Sequence, residues 1–339
     1  MATRRPTVRD VALAAGVSPK TVSNVVGGYA HVRPGTRERV LKQVEALGYR
    51  PQAAGRHLRQ GRTGVVALAV PAIDMPYFGD LASRLVRAAR SHGLTVVVEQ
   101  TDGDVERERE VAAGLPLRFA DGLVLSPLEM SAAELVAVPD MPTVLVGEHA
   151  AGVPVDRVGI DSVAVAALGA GHLLARGRRR VALLGVKPVL HDTAAQRLQG
   201  YRAALTGAGL APDDGLLLRV PDWTREDGAA AGAALADDLR AGRADVDGVL
   251  AMNDVLALGL LQGLRGAGVR VPEDVAVVGV DDVAESAYSA PSLTTVAIDR
   301  ASVARDALEL LVSRLADPDL PPRERVAPHH LVVRESSGA

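Results

Sequence analysis

Residues 16–26, GVSPKTVSNVV, place four polar side chains on a short stretch between valines. Lys20 can donate to O6 and N7 of a guanine, and Asn24 can make a paired contact to N6 and N7 of an adenine. Thr21 and Ser23, together with exposed backbone N–H groups, suit phosphate oxygens. If a helix presents these side chains outward, the stretch can read base pairs in a major groove.

A second group of polar and aromatic side chains follows the apolar runs of the remaining chain. Aromatic residues make up only 2% of the sequence, yet Tyr77 and Phe78 follow one run and the only tryptophan, Trp223, follows another. A flat ring stacks on a sugar face or a base, paired aspartates accept from vicinal hydroxyls, and an arginine donates in a fork. The candidate ligand-binding residues are Asp74, Tyr77, Phe78, Asp161, His191, Thr193, Arg197, Trp223, Asn253 and Asp281. Similar positions after strands hold Asp102, Glu148, Asp254 and Asp282.

Structural explanations remain open for several of these candidates. Phe78 can be a core residue at the start of a helix, and Trp223 can fill the space beneath a loop. His149 and His191 can be solvent-facing loop residues. The strand-end positions therefore indicate a binding site without assigning every side chain to it.

Capping residues divide the start of the chain into short helices. Thr7 can cap the first helix, with Asp10 closing a capping-box pair, and Gly16 ends it. Ser18 is a good N-cap and Pro19 suits the first helical position, so a second helix begins there.

A third helix is predicted from about residue 36 to residue 47, with Gly48 as its end. Its expected apolar stripe is Val40, Leu41, Val44 and Leu47. Two short helices joined through a glycine turn, with a third helix to bury their apolar faces, are typical of a helix-turn-helix. In that motif the second helix enters the major groove.

Charge is unevenly distributed along the chain. Residues 1–62 contain twelve Lys and Arg against three acids, a net charge of +9, whereas residues 63–339 carry a net charge of −12. Like charges gathered in so short a segment repel one another unless a polyanion neutralises them. The basic segment therefore indicates nucleic-acid binding, although a merely soluble basic face is an alternative on charge alone.

Eight short apolar runs alternate with amphipathic helical patterns beyond residue 62. The runs read as buried parallel strands and lie at 65–70, 94–100, 121–126, 142–147, 180–185, 216–220, 247–252 and 274–282. Strand–helix alternation of this length predicts an α/β body of two doubly wound parallel sheets behind the all-α head. In such folds, ligands bind beyond the carboxyl ends of the strands.

The N-terminal motifs resemble those of a known family. TVRDVALAAGVSPKTVSNVV (7–26), TRERVLKQVEALGYRP (36–51) and RHL (56–58) occur in this order at the head of the chain. They resemble the head of the lactose repressor (LacI/GalR) family of bacterial transcription regulators, and the likeness continues almost to the C-terminus. The resemblance implies a bilobed body related to periplasmic sugar-binding proteins.

The resemblance also implies which residues contact DNA. The family has a hinge helix whose leucine enters the minor groove at the centre of a palindromic operator, and Leu58 in residues 49–61 matches it. Asn24 stands where arginine is common, Gln52 where asparagine is frequent and Gly55 where alanine is usual. Packing of Leu58 on the body is an alternative. The implied DNA-binding residues are Thr7, Ser18, Pro19, Lys20, Thr21, Ser23, Asn24, His31, Arg56 and Leu58.

We therefore expect three regions in the chain. These are a helix-turn-helix domain at 1–50, a hinge helix or linker at 51–62, and a bilobed effector-binding and dimerisation domain at 63–339. The expected crossings between lobes lie near 158–161, 289–294 and 326–331. They place about 63–160 and 292–326 in the first lobe and about 161–290 and 327–339 in the second.

The predicted function is that of a sequence-specific transcription regulator. We expect a repressor that binds a palindromic double-stranded operator as a homodimer and is controlled by a small-molecule effector, a sugar or sugar derivative. A nucleoside or purine-type effector would use the same ring stacking. A solute-binding protein would instead need a signal peptide and no basic head, and an enzyme would need an activated catalytic group, which no strand-end residue provides.

The sequence predicts no cofactor, metal or membrane partner. It contains no cysteine, which excludes disulfides and thiolate metal sites, and no HExxH or GxSxG spacing. GAGHLLA at 169–175 lacks the third glycine of a dinucleotide-binding loop and follows a helical pattern. No segment reaches the roughly 18 apolar residues of a membrane span, and no secretory signal is recognisable. We expect a cytoplasmic protein that is not an enzyme.

Overall fold

The computed structural model describes residues 6–26, 29, 31–49, 62–136, 141–148, 153–187 and 192–338. The chain divides into two compact units, Met1–Gly64 and Val65–Ala339. Most of the expected hinge, including Arg56 and Leu58, lies outside the described residues, and so does the candidate His191.

The described residues of the N-terminal unit form three helices. They are α1 (Val8–Ala15), α2 (Pro19–Val26) and α3 (Pro34–Ala46). The predicted capping box is present, since the Thr7 side chain accepts from the Asp10 N–H and the Asp10 carboxylate accepts from the Thr7 N–H. Gly16 ends α1 with a φ of 63°, a left-handed conformation that glycine adopts without steric cost. The buried core consists of Val11, Ala12, Ala15, Val22, Val25 and Val40.

The third helix differs from the prediction. It begins at Pro34 instead of residue 36, because proline at the first helical position loses no hydrogen bond. Val40 is buried and Val44 packs against the core, but Leu41 and Leu47 are 48% and 37% exposed. The buried stripe of α3 is therefore narrower than the sequence indicated.

The larger unit contains two six-stranded sheets. The first sheet is built from β1 (Val65–Val70), β2 (Thr95–Gln100), β3 (Gly122–Leu125), β4 (Thr143–Val146), β5 (Asp156–Gly159) and β11 (Glu324–Val326). Its strand order is β11-β5-β4-β3-β1-β2, and every neighbouring pair is parallel. The helices of this lobe are α4 (Pro76–Ser91), α5 (Val105–Ala112), α6 (Ala132–Val136) and α11 (Arg300–Ala316).

The second sheet has the same number of strands. It is built from β6 (Val181–Val186), β7 (Leu217–Arg219), β8 (Gly248–Ala251), β9 (Ala276–Asp281), β10 (Thr294–Ile298) and β12 (His329–Val332). Its order is β12-β10-β9-β8-β6-β7, parallel except for β12 against β10. Its helices are α7 (Ser162–Ala175), α8 (Asp192–Gly207), α9 (Arg225–Arg240) and α10 (Asp254–Gly266). In the part of the chain that the structure describes, no helix combines the length and apolarity needed to cross a membrane.

The chain passes between the sheets three times. It leaves the first sheet after β5, returns with α11, which packs on β3, β4 and β5, and passes from β11 to β12. The sequence placed residues 292–326 in the first lobe, and this is wrong for β10. All five residues of β10 are buried in the second sheet between β9 and β12. The proline-containing turn before β10 therefore leads into another strand of the second sheet. It is not the place where the chain returns to the first lobe.

Candidate functional site

The outer side of α2 carries most of the residues predicted to contact DNA. Val22 and Val25 hold the helix on the N-terminal core. The residues at its start and on its outer side are exposed or half-buried, and they are Ser18, Pro19, Lys20, Thr21, Ser23 and Asn24. Thr7 and His31 are exposed in the same unit, Thr7 as the cap of α1. The polar side chains of α2 are therefore accessible to solvent on a helix that its buried valines hold in place.

Ser18 fixes the first turn of α2. Its Oγ accepts from the Thr21 N–H at 3.1 Å and lies 2.9 Å from Thr21 Oγ1. The first N–H groups of a helix have no partner within the helix, and their partial positive charge suits a phosphate oxygen. Lys20, which is exposed beside this turn, adds a full positive charge.

Two arginines of the N-terminal unit serve its internal structure. Arg37 donates to the Tyr29 carbonyl, and Arg39 Nε donates to the Ala15 carbonyl at 3.2 Å. These bonds tie α3 to the chain after α2 and to the end of α1. Part of the basic charge therefore stabilises the fold, whereas Lys20 is exposed and available to a ligand.

Three buried charged side chains meet where strands of both sheets end. Glu148 lies just beyond β4 of the first sheet, Asp281 ends β9 of the second, and Arg197 projects from α8. Arg197 Nη2 lies 4.0 Å from both Glu148 Oε1 and Asp281 Oδ1. The side chains of Arg197, Glu148 and Asp281 are only 6%, 8% and 10% exposed. They therefore interact in a poorly solvated space between the lobes.

Glu148 connects the two lobes. One carboxylate oxygen accepts from Ser162 Oγ, and the other accepts from Thr193 Oγ1 at 2.9 Å. Ser162 begins α7 and Thr193 lies at the start of α8, both in the second lobe. Thr193 was a predicted site residue, whereas Glu148 was noted only as one of several acids after strands. Its burial and its contacts across the lobes distinguish it from the other acids.

The predicted residues Arg197 and Trp223 contact each other. The guanidinium carbon of Arg197 lies 5.6 Å from the Trp223 ring centroid, and Lys187 Nζ lies 5.7 Å from it. Trp223 Nε1 donates to the Gly185 carbonyl at 2.8 Å. Because both cations approach this ring, Trp223 helps to position Arg197. Trp223 also packs partly against the apolar core, which agrees with the alternative that it fills space beneath a loop.

Tyr77 and Phe78 lie in the first turn of α4. Their ring centroids are 5.1 Å apart and their planes are nearly perpendicular, at 86°. Within the described part of the chain, the buried Tyr77 hydroxyl has no hydrogen-bond partner. Burial raises the pKa of Tyr77 above its ordinary value, and the negative charges of Glu148 and Asp281 raise it further. The Tyr77 hydroxyl is therefore neutral, and it lies within the electrostatic influence of both carboxylates. Phe78 packs against the apolar core of the first lobe.

Arg300 contacts the same cluster, although the sequence analysis did not single it out. Its Nε forms an ion pair with Asp80 Oδ2 at 2.7 Å, while its two terminal nitrogens donate to the carbonyls of Asp281 and Asp282. These two aspartates have φ values of 114° and 55°, in a region that aspartate tolerates better than most residues. Arg300 thus holds the chain that carries the Asp281 carboxylate.

Three predicted site residues have simpler surroundings. Asn253 Oδ1 accepts from the Leu256 N–H at 2.8 Å and caps α10, and Asp161 Oδ1 accepts from the Ala164 N–H at 2.9 Å and caps α7. Asp74 is exposed just before α4. The caps formed by Asn253 and Asp161 are local interactions, so the part of these three residues in ligand binding stays a prediction.

The Asp281 carboxyl should make the stability of the body depend on pH. Burial raises its pKa from 3.8 to about 6, against the opposing effect of Arg197. A raised folded pKa means that this group's stabilising contribution is complete below the unfolded pKa and is lost as pH rises towards about 6 and beyond.

We therefore expect Asp281→Asn to gain stability relative to the unsubstituted protein, by on the order of 2 kcal/mol, as pH rises from about 4 to about 7. The test is denaturant unfolding followed by the fluorescence of Trp223, the only tryptophan. Glu273→Gln, which alters an exposed acid of the same lobe, is the control. A pH-independent difference between Asp281→Asn and the unsubstituted protein would contradict the assignment.

The charged side chains of the cluster are carboxylates and guanidinium groups. Among the described residues, no group of three or more His, Asp or Glu side chains has the arrangement to hold a metal ion.

Comparison with known proteins supplies relatives for both units. The model of bacterial regulatory proteins of the lacI family matches residues 7–52, and the model of the periplasmic binding protein-like domain matches residues 170–337. The helix-turn-helix-type transcriptional regulator CelR of Thermobifida fusca is 35% identical over 343 residues, which cover 98% of this chain and 98% of CelR.

Solved structures resemble the whole chain. The complex of the transcriptional regulator CelR with cellobiose is 33% identical, with a TM-score of 0.71 over 98% of this chain and 100% of that chain. The lac repressor dimer bound to operator and the anti-inducer ONPF is 26% identical, with a TM-score of 0.86 over 99% and 100% of the two chains.

Proposed function

This chain belongs to the lacI family of bacterial regulatory proteins, and on that premise we propose that it is a repressor that binds a palindromic operator as a homodimer. It is a DNA-binding transcription regulator with a periplasmic-binding-protein-like effector domain, in a family of regulators and not of enzymes. We further propose the organisation set out above, with a head at 1–50, a hinge at 51–62 and a body at 63–339.

The observation that carries the DNA-binding proposal is the outer side of α2. Lys20 is exposed, and Thr21, Ser23 and Asn24 are half-buried, on a helix whose first turn is fixed by the Ser18 cap. These are the groups that contact guanine, adenine and phosphate. The net charge of +9 in residues 1–62, against −12 in the remainder, favours attachment of this unit to a polyanion.

The effector site is proposed at the cluster of Arg197, Glu148 and Asp281. Donors and acceptors from both lobes converge there, and the Tyr77 ring and the Trp223 ring lie beside them. Hydroxyl groups of a sugar and the edge of its ring suit such surroundings, and the CelR relative was solved with cellobiose. A nucleoside is the alternative effector.

A ligand at this cluster would change the balance between lobe arrangements. Glu148 of the first lobe bonds to Ser162 and Thr193 of the second, so a ligand that replaces or strengthens these bonds favours one arrangement over another. We propose that the two bodies of the dimer transmit this preference to the spacing of the two heads. The effector then alters operator affinity by its differential affinity for the two states.

Selection of binding sites from random double-stranded DNA, using the full chain, tests the proposed function. We expect enriched palindromic sites, one dimer per site, and affinity that falls steeply with salt. DNA binding with no sequence preference would contradict the proposal.

Variants of α2 test which side chains read the bases. Lys20→Ala is expected to weaken operator binding by about 1–3 kcal/mol and to relax preference at one base pair of each half-site. Asn24→Arg is expected to change the preferred base more than the overall affinity. The control is Lys42→Ala, which removes an exposed charge of α3 and should leave base preference unchanged. Uniform weakening across all sequences by Lys20→Ala would instead make Lys20 a phosphate contact.

A further inference from the structure

We propose that Pro19 reads one base pair of each operator half-site through the 5-methyl group of its pyrimidine, so that thymine and 5-methylcytosine are equivalent there. This specificity rests on the proposed function, because Pro19 belongs to the α2 surface that is proposed to enter the major groove. Three features carry it, namely the exposure of Pro19, the engagement of the hydroxyl groups beside it, and the chemistry of a proline side chain.

Pro19 is the apolar residue that α2 leaves exposed. The structure describes all eight residues of this helix, and its three valines lie in the core of the head or pack against it. Pro19 is instead exposed, at the first position of the helix. The N-terminal residues of a recognition helix are those that reach base edges in the major groove. Pro19 therefore lies where a side chain can contact a base.

The hydroxyl groups beside Pro19 are engaged with each other. Ser18 Oγ accepts from the Thr21 N–H at 3.1 Å and lies 2.9 Å from Thr21 Oγ1. These bonds form the cap of α2 and fix its first turn. The first turn therefore presents the carbon surface of Pro19 to a base pair, whereas its two hydroxyls serve the helix itself.

A proline has no polar atom with which to read a hydrogen-bonding pattern. Its ring closes on its own nitrogen, so it has no backbone N–H, and its side chain consists of carbon alone. At the first position of a helix the missing N–H costs nothing. The apolar feature of a base edge in the major groove is the C5-methyl group of thymine. Pro19 therefore favours thymine at the base pair that it contacts.

The same methyl group is present on 5-methylcytosine, although the hydrogen-bonding groups of the two bases differ. Cytosine has an N4 donor in the major groove, where thymine has an O4 acceptor. A side chain that forms hydrogen bonds distinguishes these bases, whereas Pro19 responds to the methyl group that they share. Methylation of a cytosine at this position therefore strengthens operator binding, and loss of the methyl group from thymine weakens it.

The test changes single methyl groups in the operator and uses the full chain. Sites are first selected from random double-stranded DNA, and each thymine of the selected half-site is then replaced by uracil, which lacks only the methyl group. We expect one position per half-site at which uracil lowers affinity about fourfold, the effect of one buried methyl group, and about tenfold or more when both half-sites are changed. At that position, 5-methylcytosine paired with guanine should bind within about twofold of thymine, and unmethylated cytosine about as weakly as uracil.

Two matched variants assign the methyl contact to Pro19. Pro19→Ser is expected to remove the difference between thymine and uracil at that position, because serine has less carbon surface and can form hydrogen bonds to either type of base pair. Pro34→Ser alters the exposed proline at the first position of α3 and should leave the difference unchanged. Circular dichroism of each variant checks that its helices are folded.

Three results would overturn the proposal. They are a half-site in which uracil weakens binding at no position, a methyl-dependent position that folded Pro19→Ser leaves unchanged, and binding of 5-methylcytosine as weak as that of cytosine. Any of these results, obtained with sites that show a clear sequence preference, would refute the role of Pro19 and retain the proposed function. DNA binding without sequence preference would refute that function itself, and the role of Pro19 with it.

Discussion

Arg197→Ala is expected to bind operator DNA without any response to effector, and its body is expected to lose about 3–5 kcal/mol of stability. The Arg197 side chain is 6% exposed and stands between Glu148 and Asp281. Removing it leaves two buried carboxylates without the cation between them, and an uncompensated buried charge is strongly destabilising. The measurements are denaturant unfolding of the body and operator-binding curves with and without effector.

Two controls separate the roles of Arg197. Arg202→Ala lies on the same helix, and its ion pair with Asp214 is exposed, so stability and effector response should stay close to those of the unsubstituted protein. Arg197→Met combined with Glu148→Gln and Asp281→Asn should regain much of the stability while remaining unresponsive. If Arg197→Ala keeps its effector response, the site is misplaced. If it loses operator binding while the body is still folded, Arg197 also supports the DNA-bound state.

Glu148 can link effector binding to the relative position of the two lobes. Its two oxygens are already used by hydroxyls of Ser162 and Thr193 from the opposite lobe. A ligand hydroxyl that bonds to Glu148 must compete with these groups or share the same oxygens with them. The energy of ligand binding is then coupled to the energy of lobe closure, and the coupling cannot exceed the ligand's differential affinity for the two arrangements.

The helices of the head were largely predictable because their signals are local. The Thr7 and Asp10 capping box, Gly16 in a left-handed conformation and Pro19 at the first position of α2 each depend on a few neighbouring residues. The start of α3 was misplaced even though Pro34 carries the same signal as Pro19. The exposure of Leu41 and Leu47 depends on how the three helices pack, and periodicity alone could not predict it.

Four of the strands were not predicted as strands. They are β5, β10, β11 and β12, which have three to five residues each. In β11 and β12 no residue is buried, so the apolar run that marks a buried strand is absent. Strand β10 is fully buried, but it follows a proline-containing turn. The sequence analysis interpreted that turn as a crossing between the lobes.

The site was predictable where residues directly follow a recognisable strand, and less so elsewhere. Asp281 ends an apolar run, and Trp223 is unique in the chain, so the sequence drew attention to both. Arg300 follows β10, a strand without a recognised signal, and its interactions with Asp80 and two carbonyls join distant segments. Its position just after Asp299, an N-cap, was the signal that could have placed it at the start of a helix.

Asp254→Ala is expected to lower the free energy of unfolding of the body by about 3–5 kcal/mol, because several buried donors lose their acceptor at once. The side chain is fully buried, and its oxygens accept from Thr295 Oγ1 at 2.6 Å, Ser286 Oγ at 2.7 Å and the Val283 N–H at 3.0 Å. Burial raises the pKa of Asp254 to about 7, with the charge of Asp281 as the next cause, while the three donors favour the ionised form.

Asp254→Ala should also weaken effector binding, through an indirect effect on Asp281. The Val283 and Ser286 bonds anchor the turn that follows Asp281, so their loss frees the Asp281 carboxylate from its place beside Arg197. Asp254→Asn keeps one acceptor oxygen and should show a smaller loss of stability. Glu273→Ala, at an exposed position of the same lobe, should change neither property. If effector affinity is unchanged in a clearly destabilised Asp254→Ala protein, the turn does not position Asp281, and the contacts with Arg300 and Arg197 are sufficient to place it.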